Sequence, residues 1–201
     1  MNLMDAASPM RFMDTVKADL YRYGGGVSLR SFIKHYFFTP GFTYTFWMRS
    51  CVALRRQHAL FRLFYYWCRI VLHCKGTRYG ISIPYNTSIG PGLYIGHYGG
   101  IVLNDGAVLG RDCNINHGVT IGVTYGGKHP GVPIVGNRAF LGPGCTVIGG
   151  ISLGDDVAIG ANAVVTNSVP DRGVVVGNPG KQVSSNGSMN YVVNTRFGLD
   201  P

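Results

Sequence analysis

One aliphatic side chain returns at every sixth residue. Val135, Leu141, Val147, Leu153, Ile159 and Val165 keep that spacing unbroken, and four residues after each stand Ala139, Cys145, Ile151, Val157, Ala163 and Val169, apolar and mostly small. Upstream, Ile83, Ile89 and Ile95, then Leu103, Leu109, Ile115 and Ile121, keep the same step. Two intervals are longer: eight residues separate Ile95 from Leu103, and fourteen separate Ile121 from Val135. A helix repeats at about 3.6 residues and a strand at about 2, so a period of six belongs to a solenoid whose unit is a short strand plus a turn. Three units close a triangular coil with the aliphatic positions stacked inside, a parallel β-helix of about four coils rather than a sandwich. Gly follows the aliphatic residue at positions 90, 110, 122, 142, 154 and 160, where it is expected to supply turn backbone that other residues avoid.

The remainder of the chain has a different character. Of 201 residues, 46% are hydrophobic and 13% charged, which fits one or two globular domains and excludes a disordered charged tail. Thirty Gly without a Gly-X-Y period exclude collagen. The net charge of +9 lies at one end: residues 1–80 hold twelve Lys and Arg against three Asp, and residues 81–201 hold six of each sign. The same first segment carries 17 of the 24 aromatic residues. This predicts an α-helical N-terminal domain over 1–78, the β-helix over 79–183, and a tail over 184–201 to which no hexad and no function is assigned. Ser8-Pro9 suits a cap for a helix over 10–23, followed by helices over 28–39, 42–57 and 59–75. Arg55, Arg62 and Arg69 recur at seven residues and form one stripe, either the solvated edge of a core helix or the basic side of a helix at a membrane interface.

Five Cys with no C-x-x-C pair argue against a disulfide framework or a zinc site, and point to a reducing compartment. The N-terminus lacks the apolar core of a signal peptide, and no run reaches about 20 apolar residues, so the chain is expected to be cytoplasmic, soluble or peripheral at the inner membrane face. Basic residues interleaved with bulky apolar ones, without a recognised motif, speak against nucleic acid.

Coil arithmetic places the chemistry. Ile95, Ile115, Leu141 and Ile159 stack, and two positions further on the same edge carries His97, His117, Pro143 and Ala161. Successive coils lie about 4.8 Å apart, so two imidazoles meet at one end of a smooth ledge. Imidazole titrates near neutrality and suits a general base that takes a proton from a hydroxyl. The long interval adds a loop over 123–133 with Lys128 and His129, and solenoid insertions tend to sit at binding faces. No carboxylate or thiolate at ligand spacing accompanies the histidines, so no metal is expected.

With these residues in view, the chain resembles the left-handed β-helix acyltransferases. The resemblance rests on the hexads across 83–180, Ile-Gly-His-x-x-Gly-Ile at 95–101, His-Pro at 129–130, Ile-Gly-Ala-Asn-Ala-Val-Val at 159–165 and Val-Gly-Asn-Pro-Gly-Lys at 176–181. With Pro40-Gly41-Phe42 in the helical domain, the chain is similar to serine O-acetyltransferases and to O-acetyltransferases of surface polysaccharide synthesis, such as the colanic-acid enzymes. The resemblance implies a homotrimer with sites between subunits and acetyl-CoA as cosubstrate. It implies His97 as general base, with His129 reaching toward the acceptor and His117 as a further polar contact. It also implies a pantetheine arm along Gly142, Pro143, Gly160 and Ala161, with Lys181 near the CoA phosphates. Where serine acetyltransferases carry Asp, this chain has Ser82 and Gly96. Their Asp-Pro-Ala falls near residues 26–28, and the Arg before the loop histidine is Lys128. Ser82, Gly96 and Lys128 would then face the acceptor. A serine ammonium without counter-charges loses hydrogen bonds worth about 1.5–3 kcal/mol each. The leading expectation is therefore a saccharide acceptor, with serine as the alternative and a non-catalytic trimeric scaffold or carbohydrate-binding module as a reading of another class.

Overall fold

The computed structural model describes residues 11–55, 61–195 and 197. Four helices precede the strands: α1 (Phe12–Tyr21), α2 (Leu29–Phe38), α3 (Pro40–Leu54) and α4 (Arg62–Tyr79). Ser28 caps α2, its hydroxyl accepting from the Ser31 N–H at 3.1 Å. Pro40 opens α3, two residues earlier than the sequence pattern suggested, because its fixed φ suits a first helical position. α4 continues past Lys75 to Tyr79 and stops at Gly80 in the left-handed region (φ 63°). Arg55 caps the end of α3, so the expected stripe is divided and only Arg62 and Arg69 share α4. The expected Ser8-Pro9 cap lies outside the described residues.

The strands then wind into a three-sided prism. Its first face stacks β1 (Ile81–Ser82), β4 (Ile101–Leu103), β7 (Thr120–Gly122), β10 (Thr146–Ile148) and β13 (Val164–Val165). The second stacks β2 (Ser88–Ile89), β5 (Val108–Leu109), β8 (Ile134–Val135) and β11 (Ser152–Leu153). The third stacks β3 (Tyr94–Ile95), β6 (Asn114–Ile115), β9 (Phe140–Leu141), β12 (Ala158–Ile159) and β14 (Val174–Val176), closed by antiparallel β15 (Lys181–Ser184). All other pairings within these faces are parallel, and the register sets Ile95 beside Ile115, Ile115 beside Leu141 and Leu141 beside Ile159, as the coil arithmetic requires. The residues of the six-residue ladder are buried except Ile89, which is half-buried in the first coil.

The glycines after the ladder residues have a different cause from the one expected. None of the six has a positive φ. A Cβ on Gly110 would lie 2.7 Å from the Gly136 carbonyl carbon, and one on Gly142 would lie 2.6 Å from the Ile159 oxygen. At Gly90, Gly110, Gly142 and Gly154 the backbone of the next coil passes too close for a side chain. Left-handed backbone is instead adopted at the corners between the second and third faces by Asp112, Arg138, Asp156 and Arg172 (φ 54–61°).

A solenoid has an open first coil whose peptide groups need partners. The helices provide them on all three sides. The Tyr44 hydroxyl donates to the Ile83 carbonyl (2.7 Å) and accepts from the Ile83 N–H (3.2 Å). Arg49 donates to the carbonyls of Ile89 and Gly90, both at 2.7 Å, and Asp19 accepts from the N–H groups of Gly92 and Leu93, both at 2.8 Å. Tyr23 both donates to and accepts from the Ile95 peptide groups, at 3.3 and 3.1 Å. Gly41 lets α3 approach this closely, since a Cβ there would sit 2.3 Å from the Ile95 oxygen. Tyr44, Trp47, Met48, Cys51, Cys68 and Leu72 consequently share one apolar core with the prism ladders.

The five thiols are free, and Cys74 alone is exposed. Burial pushes the thiols of Cys51, Cys113 and Cys145 up to about 12, which removes the reactive thiolate at neutral pH. We expect one rapidly reacting thiol per native chain with an aromatic disulfide reagent, and five after denaturation. A Cys74→Ser variant that keeps a fast thiol would contradict this packing.

Candidate active site

The edge between the third and first faces carries the histidines. His97 and His117 are exposed, their ring centroids 6.0 Å apart and their planes at 81°. The two residues in excess of the repeat fall in this corner: the Gly118 N–H donates to the Gly99 carbonyl at 2.7 Å, which leaves His97 on an enlarged turn over residues 96–100. The rungs beyond are regular, with Gly144 N–H donating to the His117 carbonyl (2.9 Å) and Asn162 N–H to the Pro143 carbonyl (2.8 Å). His97, His117, Pro143 and Ala161 therefore run along one edge.

The ledge is smoother than a peptide-lined cleft. The N–H groups of Gly142 and Gly160 already donate to the Ile159 and Val175 carbonyls, both at 2.8 Å. Pro143, which has no N–H, is half-buried on this edge, and Ala161 is exposed. Lys181 is exposed on β15, at the far end of the prism.

The loop over 123–133 leaves from the edge between the first and second faces. Its ends are pinned by an antiparallel bridge between Thr124 and Gly131. The His129 carbonyl accepts from the Thr124 hydroxyl and from the Gly150 N–H, both at 2.9 Å. His129 is half-buried, whereas Lys128 and Tyr125 are exposed. Within one chain, His97 and His117 meet, while His129 and Lys128 stand on a different edge.

Ser82 lies on β1, paired with Val102, and opens into a cavity of about 620 Å³ between α4 and the first face. Arg69, His73, Thr77, Tyr85 and Asn86 also line it, and neither His97 nor His117 does. Gly96 sits under the Tyr94 ring, where a Cβ would come within 2.8 Å of the ring carbon. Among the described residues, no carboxylate lies on the histidine edge. Asp105 stands at the edge of the first and second faces, and Asp112, Asp155, Asp156 and Asp171 stand at the edge of the second and third. Among the same residues, no three His, Cys, Asp or Glu side chains converge as metal ligands would.

Two features of the site escaped the sequence pattern. Tyr23 grips the Ile95 peptide two residues before His97, and burial pushes its hydroxyl above the ordinary range, so it stays a neutral hydrogen-bonding group. Its only sequence trace is an aromatic residue before the Gly24-Gly25-Gly26 break. Asn116, beside His117, donates from Nδ2 to the Leu141 carbonyl at 2.9 Å and so ties this turn to the next coil.

Comparison with known proteins agrees with this architecture. Residues 133–167 match the bacterial transferase hexapeptide model of six repeats. A serine acetyltransferase of Helicobacter pylori is 38% identical over 138 residues, 68% of this chain and 81% of that protein. One of Mycobacterium tuberculosis is 43% identical over 106 residues, 52% of this chain and 45% of that protein. Among solved structures, the serine acetyltransferase of Neisseria gonorrhoeae in complex with serine superposes with a TM-score of 0.70 at 27% identity, covering 86% of this chain and 69% of that one. The soybean apoenzyme gives 0.69 at 30% identity, covering 86% and 69%. The prism is accordingly a left-handed β-helix behind an N-terminal helical region. These relatives support the serine branch of the expected resemblance and lend nothing to its polysaccharide branch. The chain is an acetyltransferase and belongs to the serine acetyltransferase family.

Proposed function

We propose that the chain transfers the acetyl group of acetyl-CoA to a hydroxyl bound at the histidine edge, with His97 as general base and L-serine as the acceptor its relatives favour. The observation that carries the reading is the pair of exposed imidazoles 6.0 Å apart at the head of the Pro143 and Ala161 ledge. In this reading His97 removes the hydroxyl proton as the oxygen attacks the thioester carbonyl. A carbon–oxygen bond forms, the carbon–sulfur bond breaks, and the imidazolium returns its proton to the departing sulfur. The pantetheine arm lies along Pro143 and Ala161, and Lys181 meets the phosphates. His129 and Lys128 stand on another edge of the same prism, so their part in the site needs a second chain. A threefold assembly supplies it, with the loop of one protomer facing the histidines of the next.

A second acceptor class is favoured by one observation. Among the described residues the histidine edge carries no carboxylate for an ammonium, while the cavity beside Ser82 offers Arg69, His73 and hydroxyl groups to a larger neutral or anionic molecule. That chemistry suits a saccharide. The deciding measurement follows CoA release from acetyl-CoA with L-serine and, at matched concentration, with nucleotide sugars and lipid-linked oligosaccharides. Turnover with serine alone is the expected result. Turnover with a saccharide alone replaces serine as acceptor, and CoA release with neither overturns the reading.

A further inference from the structure

We propose that α2 and α4 form a docking surface for an anionic lipid bilayer. α2 has no buried residue, although Leu29, Ile33 and Phe37 follow at four-residue spacing along one face and are 75%, 48% and 70% exposed. On α4, Leu63, Trp67 and Ile70 follow at spacings of four and three residues along one face and are 82%, 48% and 63% exposed. Only Cys68 and Leu72 of its 18 residues are buried. The two stripes lie on either side of α3, and the rings between them pass through half-buried Tyr36 and buried Trp47. Aromatic rings follow one another from Phe37 through Tyr36, Trp47 and Trp67 to Phe64, with centroids 5.1–6.5 Å apart. An exposed apolar surface of this extent marks a contact with another phase or another molecule.

Charge selects the occupant. Arg30 and Lys34 flank the stripe on α2, Arg62 stands beside Leu63 at the start of α4, and neither helix contains Asp or Glu. Two copies pressed face to face would bring these cations together with no acid between them. Anionic headgroups supply the missing counter-charge. Long basic side chains rest their stems on apolar ground while their heads stay in water, and Trp and Tyr settle at headgroup depth. Among the described residues, no helix is long and apolar enough to cross a membrane, so the contact is interfacial.

The test uses the full chain with vesicles of phosphatidylcholine alone or mixed with phosphatidylglycerol. The chain is expected to sediment with the mixed vesicles only, to leave them as salt is raised, and to shield Trp67 from iodide quenching when bound. Arg30→Gln combined with Lys34→Gln should weaken binding about thirtyfold. Leu63→Asp, at a side chain that supports nothing in the fold, should abolish binding with an unchanged circular dichroism spectrum. Failure to bind either vesicle overturns the proposal. So does a smaller sedimenting mass for Leu63→Asp without lipid, which would assign the face to another protein chain.

Discussion

Replacing His97 by Ala is expected to lower kcat/KM by about a hundred to ten thousand fold, the range for losing a positioned general base, while the protein stays folded. The fold is insulated from the change because the imidazole is exposed and its neighbour is another exposed ring. The enlarged turn that presents it is held from below by Tyr23 and Gly41, whose contacts are with the Ile95 peptide and not with the imidazole. His117→Ala should cost less, since its backbone keeps its ladder partner in Gly144 and His97 remains to take the proton. Steady-state kinetics on both variants, with circular dichroism as control, decide the matter. If His97→Ala keeps activity within a few-fold, the base is His117 or His129.

Arg49→Ala should cause the largest loss of stability, about 3–5 kcal/mol, the usual consequence of removing one member of a buried ion pair. Asp19 is 1% exposed and holds the guanidinium through bonds of 2.9 and 3.3 Å. Without Arg49, that carboxylate remains buried with only the Gly92 and Leu93 N–H groups, and the Ile89 and Gly90 carbonyls lose their donors. A small domain is stable by about 5–15 kcal/mol, so the loss is a large share of the total. Arg49→Lys keeps the charge but not the planar fork that serves four acceptors at once, and should fall between. Urea midpoints at fixed protein concentration give the order. Equal midpoints for Arg49→Ala and the parent would show that the joint between helices and prism contributes little.

The prism was legible because its rule is local and repeats: one inward aliphatic residue per strand fixes face, register and coil, down to the stacking of His97 over His117. The glycine pattern was legible as a signal and misleading as to cause, because a sequence records the missing Cβ without saying whether a dihedral or a neighbouring coil forbids it. The helices were found to within a few residues, yet nothing in their periodicity announces that Tyr23, Tyr44 and Arg49 are spaced to meet three sides of a coil lying beyond residue 80. Such contacts join positions far apart in sequence. The same limit applied to His129, whose edge follows from the repeat but whose partners do not.

The tail that carried no pattern turns out to span the molecule. From β15 it runs back down the prism: Ser188 donates to the Arg138 and Asp156 carbonyls (2.5 and 2.8 Å), and Tyr191 stacks on Phe140 at 4.7 Å. Asn114 then donates to the Tyr191 carbonyl at 2.9 Å, and Arg22, at the end of α1, donates to the Val193 carbonyl. A prism of stacked coils can ordinarily gain or lose a coil without disturbing the others. Here each added coil would lengthen the body by about 4.8 Å, one to two residues of extended chain, and the returning segment would fall short of Arg22 unless it grew in step. The tail therefore acts as a ruler: the number of coils and the length of the C-terminal segment are bound to change together, so that an insertion in the one has to be matched in the other.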